Sequence, residues 1–237
     1  MRAGLPIGDL AAGMWAATGV LAAIVQRQNT GKGQRIETSL LGALVGMMCV
    51  QGQRYLSRDE VPPRAGNDHP TLYPYGAFRA RDGLMIVAVA TEAMWRALCR
   101  ALGLDALLGD ARFAGNEERM ANRDALRALI EKKLAAKDGA EWAAALVAAG
   151  IPAGPIYTMD RALADPQVIQ QRMVETIAHP TLGALQLLAN PIKLAAFAEQ
   201  GSVRTPPPLL GEHDDEVLRA AGLSADEIAA LRQDGVI

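Results

Sequence analysis

Asp9, in the run Leu5-Pro6-Ile7-Gly8-Asp9-Leu10-Ala11-Ala12-Gly13, places a carboxylate at the start of a long apolar segment. Two kinds of chemistry suit that place. A carboxylate at a helix N-terminus can cap the unpaired amides of the first turn. Held ionised by those amides and by the macrodipole behind them, it can also act as a nucleophile. Local sequence alone favours the cap, because caps are common and nucleophilic aspartates are rare. A second segment with chemical content is Ala65-Gly66-Asn67-Asp68-His69-Pro70-Thr71-Leu72-Tyr73-Pro74-Tyr75-Gly76. It gathers glycine, proline, aromatic and titratable residues in a stretch too polar and irregular for a core element. Such a loop is either a rigid surface feature or a functional one.

Other chemistries find little support. Gly31-Lys32-Gly33 lacks both the earlier glycine and the hydroxyl after the lysine that a phosphate loop needs, so it reads as a helix stop. His69, His179 and His213 are far apart and have no Cys or His at ligand spacing, and no metal site is expected. No Gly-x-Ser-x-Gly elbow is present. Cys49 and Cys99 each lie in an apolar helical pattern, which reads as core packing in a reducing compartment.

The elements that must position these residues follow from periodicity. Leu10, Met14, Ala17, Leu21, Ile24 and Val25 recur at the spacing of a buried helical face, with Gln26-Arg27-Gln28 as a polar end and Gly31 as the stop. The apolar part is shorter than the roughly 20 residues of a membrane span and is read as a core helix. Gly33–Thr38 alternates like a short strand, and Leu40–Val50 resumes helical spacing. The run Ser57-Arg58-Asp59-Glu60-Val61-Pro62-Pro63-Arg64 breaks that pattern and reads as a linker. Beyond it, Leu84–Val89 is a buried strand by its β-branched apolar run, and helices are expected at 92–102, 123–136 and 141–149. Ile151–Ile156 punctuates the chain, strands follow around 173–177 and 184–188, and two short helices close it. The pattern is mixed α/β without an internal repeat.

Composition agrees with a globular protein. The chain has 237 residues, half of them apolar, enough for one large or two small cores. The formal charge of -2 is dispersed, with no basic cluster for nucleic acid. A cytoplasmic protein with neither nucleic-acid nor membrane partners is expected.

Five segments, taken together, resemble the family III CoA transferases. They are Gly8-Asp9-Leu10-Ala11-Ala12-Gly13, Thr30-Gly31-Lys32-Gly33-Gln34, Gly66-Asn67 to Tyr75, Gly150-Ile151-Pro152-Ala153-Gly154-Pro155, and Leu209-Leu210-Gly211-Glu212-His213. Their order and separations match the family along the whole chain. The resemblance implies an α/β fold in which a small α/β domain is inserted into a Rossmann-like large domain, here incomplete, with two subunits interlocked as a dimer. The domain boundaries it implies are a large-domain segment at 1–56, a linker at 57–65, a small domain at 66–153, and a return linker with a C-terminal large-domain segment at 154–237.

The resemblance also implies a role for Asp9 as the nucleophile that carries acyl and CoA groups in turn. Gly8, Asn67, His69, Tyr73 and Tyr75 fall near the substrate or CoA by the same comparison. Coenzyme A enters as a thioester substrate, with a small carboxylic acid as the other reactant, and no tightly bound cofactor is implied. Family members normally have a long N-terminal half before this aspartate, so the expectation is a chain lacking it. The formyl-CoA transferases carry a glycine-rich run where Asn67-Asp68-His69-Pro70 stands, so the resemblance does not by itself imply an oxalate acceptor. Two alternatives stay open: a 2-methylacyl-CoA racemase chemistry on the same fold, and an inactive remnant.

Overall fold

The computed structural model describes residues 4–197 and 201–237. The chain divides into two compact units, Met1–Tyr73 and Pro74–Ile237.

The first unit is helical. Helix α1 spans Ile7–Thr30, and Gly31 ends it in the left-handed conformation at φ 72°, its N–H reaching Arg27 O. This is longer than the apolar run predicts, and by length and composition α1 is sufficient to cross a membrane. Helix α2 (Leu40–Met47) is capped by Ser39, whose side chain accepts from the Gly42 amide at 3.0 Å. Helix α3 (Cys49–Arg58) follows directly. The single helix expected over 40–50 is thus broken at Met48–Cys49, where Cys49 takes φ 41°. Arg58, expected in the linker, still belongs to α3, because Arg54 reaches past the helix end to Glu60 (2.7 and 3.0 Å) and secures the last turn.

Two expectations for this unit are overturned. Gly33–Thr38 forms no strand: among the described residues it has no strand to pair with. Instead its Ile36 lies against α1 at Gly19, 3.5 Å from where a Cβ would stand. The large apolar residues of α1 are also not buried. Leu10, Met14, Ala17, Leu21, Ile24 and Val25 are all exposed, Met14 by 63% and Leu21 by 64%, while only Ala11 is buried. The reason is geometric. α1 meets α2 at Gly8 and the 33–38 segment at Gly19, so the packed side carries small residues while the larger ones stay exposed.

The second unit has its own core. Strands β1 (Tyr75–Arg79), β2 (Leu84–Ala88) and, later in the chain, β3 (Ala153–Pro155) form an antiparallel sheet in the order β1-β2-β3. Between β2 and β3 run α4 (Glu92–Leu102), two short 3-10 turns, α5 (Asn116–Ala121), α6 (Arg123–Leu134) and α7 (Gly139–Ala148). Helix α6 packs on β1, α7 on β2 and β3, and α4 on α6 and α7. Phe78, Met85, Val87, Leu98, Cys99, Phe113, Leu126, Ile130, Leu134 and Leu146 fill the space between them with no exposure.

Caps fix the helix ends. Thr91 accepts from the Met94 amide (3.2 Å), Asp138 and Glu141 form a capping box, and Trp142 Nε1 donates to Leu134 O at 2.9 Å. Arg119, 2% exposed, is a charged group drawn into this core. It pairs with Glu92 at 2.5 and 3.2 Å and lies over Trp95.

After β3 come two short helices, α8 (Met159–Leu163) and α9 (Pro166–Gln170), then an antiparallel hairpin of β4 (Val174–His179) and β5 (Gly183–Leu188). Helices α10 (Asp214–Ala220) and α11 (Ala225–Gln233) end the chain, as predicted. The whole is α/β with small antiparallel sheets among the described residues.

Candidate active site

Asp9 lies three residues further into the helix than the cap position, so the structure corrects its reading as the N-cap. The N-cap is Pro6, which offers no side-chain bond, and Ile7, Gly8 and Asp9 are the first three helical residues. Leu10 N–H closes the first rung on Pro6 O at 3.0 Å. The amides of Gly8 and Asp9 therefore precede the hydrogen-bonded ladder, where a helix concentrates its positive end. Asp9 is exposed. A carboxylate so placed is open to an incoming electrophile and is not occupied as a cap.

Gly8 sets what packs beside it. Its position on α1 faces α2, where Leu44 Cδ1 lies 3.5 Å and Cγ 3.7 Å from an ideal Cβ. The contact anchors the first turn of α1, and so the backbone of Asp9, against a neighbouring helix.

Asn67, His69 and Tyr73 share the loop that follows α3. Gly66, at φ 63°, allows a turn closed by Asp68 N–H on Ala65 O at 3.1 Å, which puts Asn67 at an exposed tip. Only a residue tolerant of the left-handed region fits at Gly66. His69 then organises the rest of the loop. Its Nδ1 accepts from the amides of Thr71 (3.2 Å) and Leu72 (3.1 Å) and lies 3.4 Å from Thr71 Oγ1. Two amide donors on Nδ1 require that nitrogen to be unprotonated, so the neutral ring carries its proton on Nε2. Tyr73 is buried at 1% exposure, while Tyr75 opens β1 in the second unit, half-buried and opposite Ala88. Of the residues singled out in the sequence, Gly8 and Asp9 thus share one helix turn, Asn67, His69 and Tyr73 share one loop, and Tyr75 stands in the sheet.

A cleft of about 770 Å³ adjoins this loop. It is walled by α3 through Cys49, Gln53, Arg54, Ser57 and Arg58, and by Thr71. Sequence reasoning missed it because it treated Cys49 as core; the break after α2 leaves Cys49 exposed. The i, i+4 spacing of Cys49, Gln53 and Ser57, and of Val50, Arg54 and Arg58, was the available signal for a common face. Glu60 is held below the usual carboxylate range by the Arg54 guanidinium bonded to it, so both charges persist at this rim at neutral pH.

The use of His69 had a signal too. The tetrapeptide His-Pro-Thr-Leu occurs twice, at 69–72 and 179–182. In the second copy His179 Nδ1 accepts from the amides of Thr181 and Leu182, both at 3.2 Å, at the turn between β4 and β5. One local sequence gives one local structure in two places, and that marks the imidazole as a turn-forming group in both.

Comparison with known proteins gives a consistent picture. Residues 1–214 match the model of CoA-transferase family III. The succinyl-CoA:glutarate CoA-transferase of Mus musculus is 30% identical over 239 residues, covering 100% of this chain and 54% of its own. The succinyl-CoA:mesaconate CoA-transferase of Haloarcula marismortui is 33% identical over 223 residues, covering 94% of this chain and 55% of its own. Among solved structures, a CAIB/BAIF family protein from Brucella suis superposes with a TM-score of 0.73 at 31% identity, over 93% of this chain and 56% of that one. The chain spans about half the length of the curated relatives it matches. With the family matched over nearly all its residues and the fold matched by a solved member, this chain belongs to the family III CoA transferases.

Proposed function

We propose that the protein of which this chain carries the nucleophile region transfers coenzyme A between carboxylic acids, with Asp9 as the group that is acylated. The observation that carries this reading is the position of Asp9: exposed, in the first turn of α1, with the amides of its own turn beside it. An Asp9 oxygen attacks the thioester carbonyl of an acyl-CoA, the C–S bond breaks, and CoA leaves as thiolate from a mixed anhydride. The thiolate attacks the aspartyl carbonyl, the donor acid departs as carboxylate, and Asp9 becomes a CoA thioester. An acceptor carboxylate then attacks that carbonyl and expels the thiolate, forming a second anhydride. The thiolate takes the acceptor's carbonyl, which gives the new acyl-CoA and restores Asp9. At each step a carbonyl oxygen gains charge next to helix-terminal amides, the environment that stabilises it.

Dicarboxylic acids are the proposed substrate class, because the relatives carry succinyl, glutarate and mesaconate in their names. The Asn67–His69 loop and Tyr73 are assigned to the region around the bound acyl group, with the Nε2–H of His69 as a donor of fixed tautomer. The domain scheme proposed is a large domain to which residues 1–56 and 154–237 contribute, a linker at 57–65, and a small domain at 66–153, with two interlocked subunits in the cytoplasm. The exposed apolar residues of α1, α2 and α3, such as Met14, Leu41 (72%) and Leu56 (77%), support such further packing, since patches of this kind mark interfaces.

The test is mass spectrometry of the protein after incubation with succinyl-CoA and hydroxylamine. The expected product is the hydroxamate of Asp9. No adduct at Asp9, together with exchange of the acyl α-proton into deuterated water, would assign the aspartate to acid/base chemistry instead.

A further inference from the structure

Among the described residues, the three-stranded sheet of the second unit has two outer edges, β1 and β3. The outward backbone groups of such an edge are a template for another chain. Along β1 the hydrogen bonds sort the residues by side. Val89 N–H bonds Pro74 O at 3.0 Å and Ala80 N–H bonds Gly83 O at 2.8 Å, so in the antiparallel register Gly76 and Phe78 also turn their backbone groups toward β2. Tyr75, Ala77 and Arg79 turn theirs outward.

Helix α6 occupies that outer side with an ion pair. Arg127 Nη1 donates to Ala77 O at 2.6 Å, and the Arg79 N–H donates to Glu131 Oε1 at 3.1 Å. The two side chains are joined at 3.3 Å, and the Arg127 guanidinium lies over the Phe78 ring, 4.7 Å from its centroid. Ala77 O and Arg79 N–H are the acceptor and donor that one residue of an added parallel strand would engage, and an antiparallel strand paired at Ala77 or Arg79 needs one of them. Helix side chains thus stand where strand backbone would stand. The order of the pair agrees: arginine four residues before glutamate is the weaker arrangement for a helix, so the strand, not the helix, accounts for it. The opposite edge is closed by other means. Ala88 N–H bonds Pro152 O and Ile156 N–H bonds Leu84 O, both at 2.9 Å, which turns Ala153 and Pro155 of β3 outward, and Pro155 has no N–H to offer.

We propose that the Arg127–Glu131 pair guards the β1 edge: it holds this sheet at three strands and keeps a second copy of the chain from adding its own β1. A second copy is the occupant excluded because β1 is complementary to itself. About a two-fold axis at Ala77, the outward groups of Ala77 meet their equals, and Tyr75 of one copy stands opposite Arg79 of the other. The inference stands on this edge and does not depend on the role of Asp9.

The experiment is sedimentation velocity of the full chain over a range of concentrations, beside R127A/E131A and the same double variant carrying Arg79→Pro. Any assembly of the parent through its other surfaces is the baseline. Arg79 is exposed and its N–H faces away from β2, so proline there removes an outward donor without breaking a bond to β2. The double variant is expected to show an added association step that grows with concentration, and the triple variant is expected to lack it. Hydrogen exchange reads the same edge. At low concentration the Arg79 amide should exchange about tenfold faster in Glu131→Ala than in the parent, the size of one hydrogen bond, and it should slow again as R127A/E131A is concentrated. A folded double variant that sediments as the parent does at every concentration, or an added association that Arg79→Pro leaves in place, would overturn the proposal. If the double variant does not fold, Glu131→Ala alone takes its place in both measurements, and unchanged exchange at Arg79 or unchanged sedimentation in that variant overturns it equally.

Discussion

Leu44 on α2 stands against Gly8 on α1, its Cδ1 3.5 Å from the place of a Cβ, and this contact holds the turn that carries Asp9. The spacing is ordinary van der Waals distance, so a methyl fits there. Gly8→Ala should therefore keep or raise the melting temperature, with about 0.5–1 kcal/mol available from helix propensity. Gly8→Leu should instead force α2 away, cost about 1–3 kcal/mol, and lower Asp9 acylation. Thermal melts of the two variants, with acylation measured in parallel, separate these outcomes.

His69 and His179 should be the same tautomer for the same reason. At a pH where both rings are neutral, nitrogen-15 NMR should show Nδ1 unprotonated and Nε2 protonated in each, given the paired amide donors on Nδ1. His69→Ala should expose the Thr71 and Leu72 amides to fast hydrogen exchange, while His69→Asn should retain part of their protection, since a short side-chain acceptor can serve the same turn. A proton found on Nδ1 of His69 would contradict the structure.

The Glu92–Arg119 pair predicts an acid-dependent loss of stability. The Arg119 guanidinium bonded to Glu92 holds its carboxyl below the ordinary range. A carboxyl depressed in the folded state binds its proton less readily there than in the unfolded chain. Its contribution is therefore complete above the ordinary carboxylate range and is lost as pH falls through the folded value. Glu92→Gln should lower the melting temperature at pH 7, at a cost of about 1 kcal/mol because the Glu92 side chain is half-exposed and solvent screens the pair, and the gap from the parent should narrow toward pH 3. Melts across that range check the sign.

The two thiols should react very differently. Burial, with Asp105 adding to it, pushes the Cys99 thiol up to about 12, whereas Cys49 is exposed. One fast-reacting thiol is expected with a disulfide reagent in the native state, abolished by Cys49→Ser, and a second only on unfolding. Two fast thiols would mean that the core around α4 is open.

The second unit was largely legible in the sequence, and the first was not, for a physical reason. Helices at 92–102 and from 123, strands from 84 and around 174–188, and the buried Cys99 all belong to a unit whose apolar residues meet partners within the chain, so periodicity and burial coincide. In the first unit they separate. The apolar spacing of Leu10, Met14 and Leu21 correctly announces a helix but misplaces its packed side, because the contact with α2 and Ile36 runs through Gly8 and Gly19, which carry no hydrophobic signal. The strand expected at 33–38 failed for lack of a neighbour, and the core reading of Cys49 failed at a helix break that no glycine or proline marks. At the candidate site, the carboxylate of Asp9 and the loop of Asn67 and His69 were visible as residue types. The Nδ1 bonds of His69 were not, although the repeated His-Pro-Thr-Leu could have shown them.

The role of Asp9 is tested most directly by isotope transfer. An acceptor acid labelled with oxygen-18 in its carboxylate is turned over with succinyl-CoA, and the peptide containing Asp9 is examined by mass spectrometry. Attack of the acceptor carboxylate on an Asp9–CoA thioester leaves one acceptor oxygen in the aspartate, so the account predicts oxygen-18 in Asp9 and none in Asp68 or other carboxylates. CoA transfer that proceeds while Asp9 stays unlabelled would contradict it.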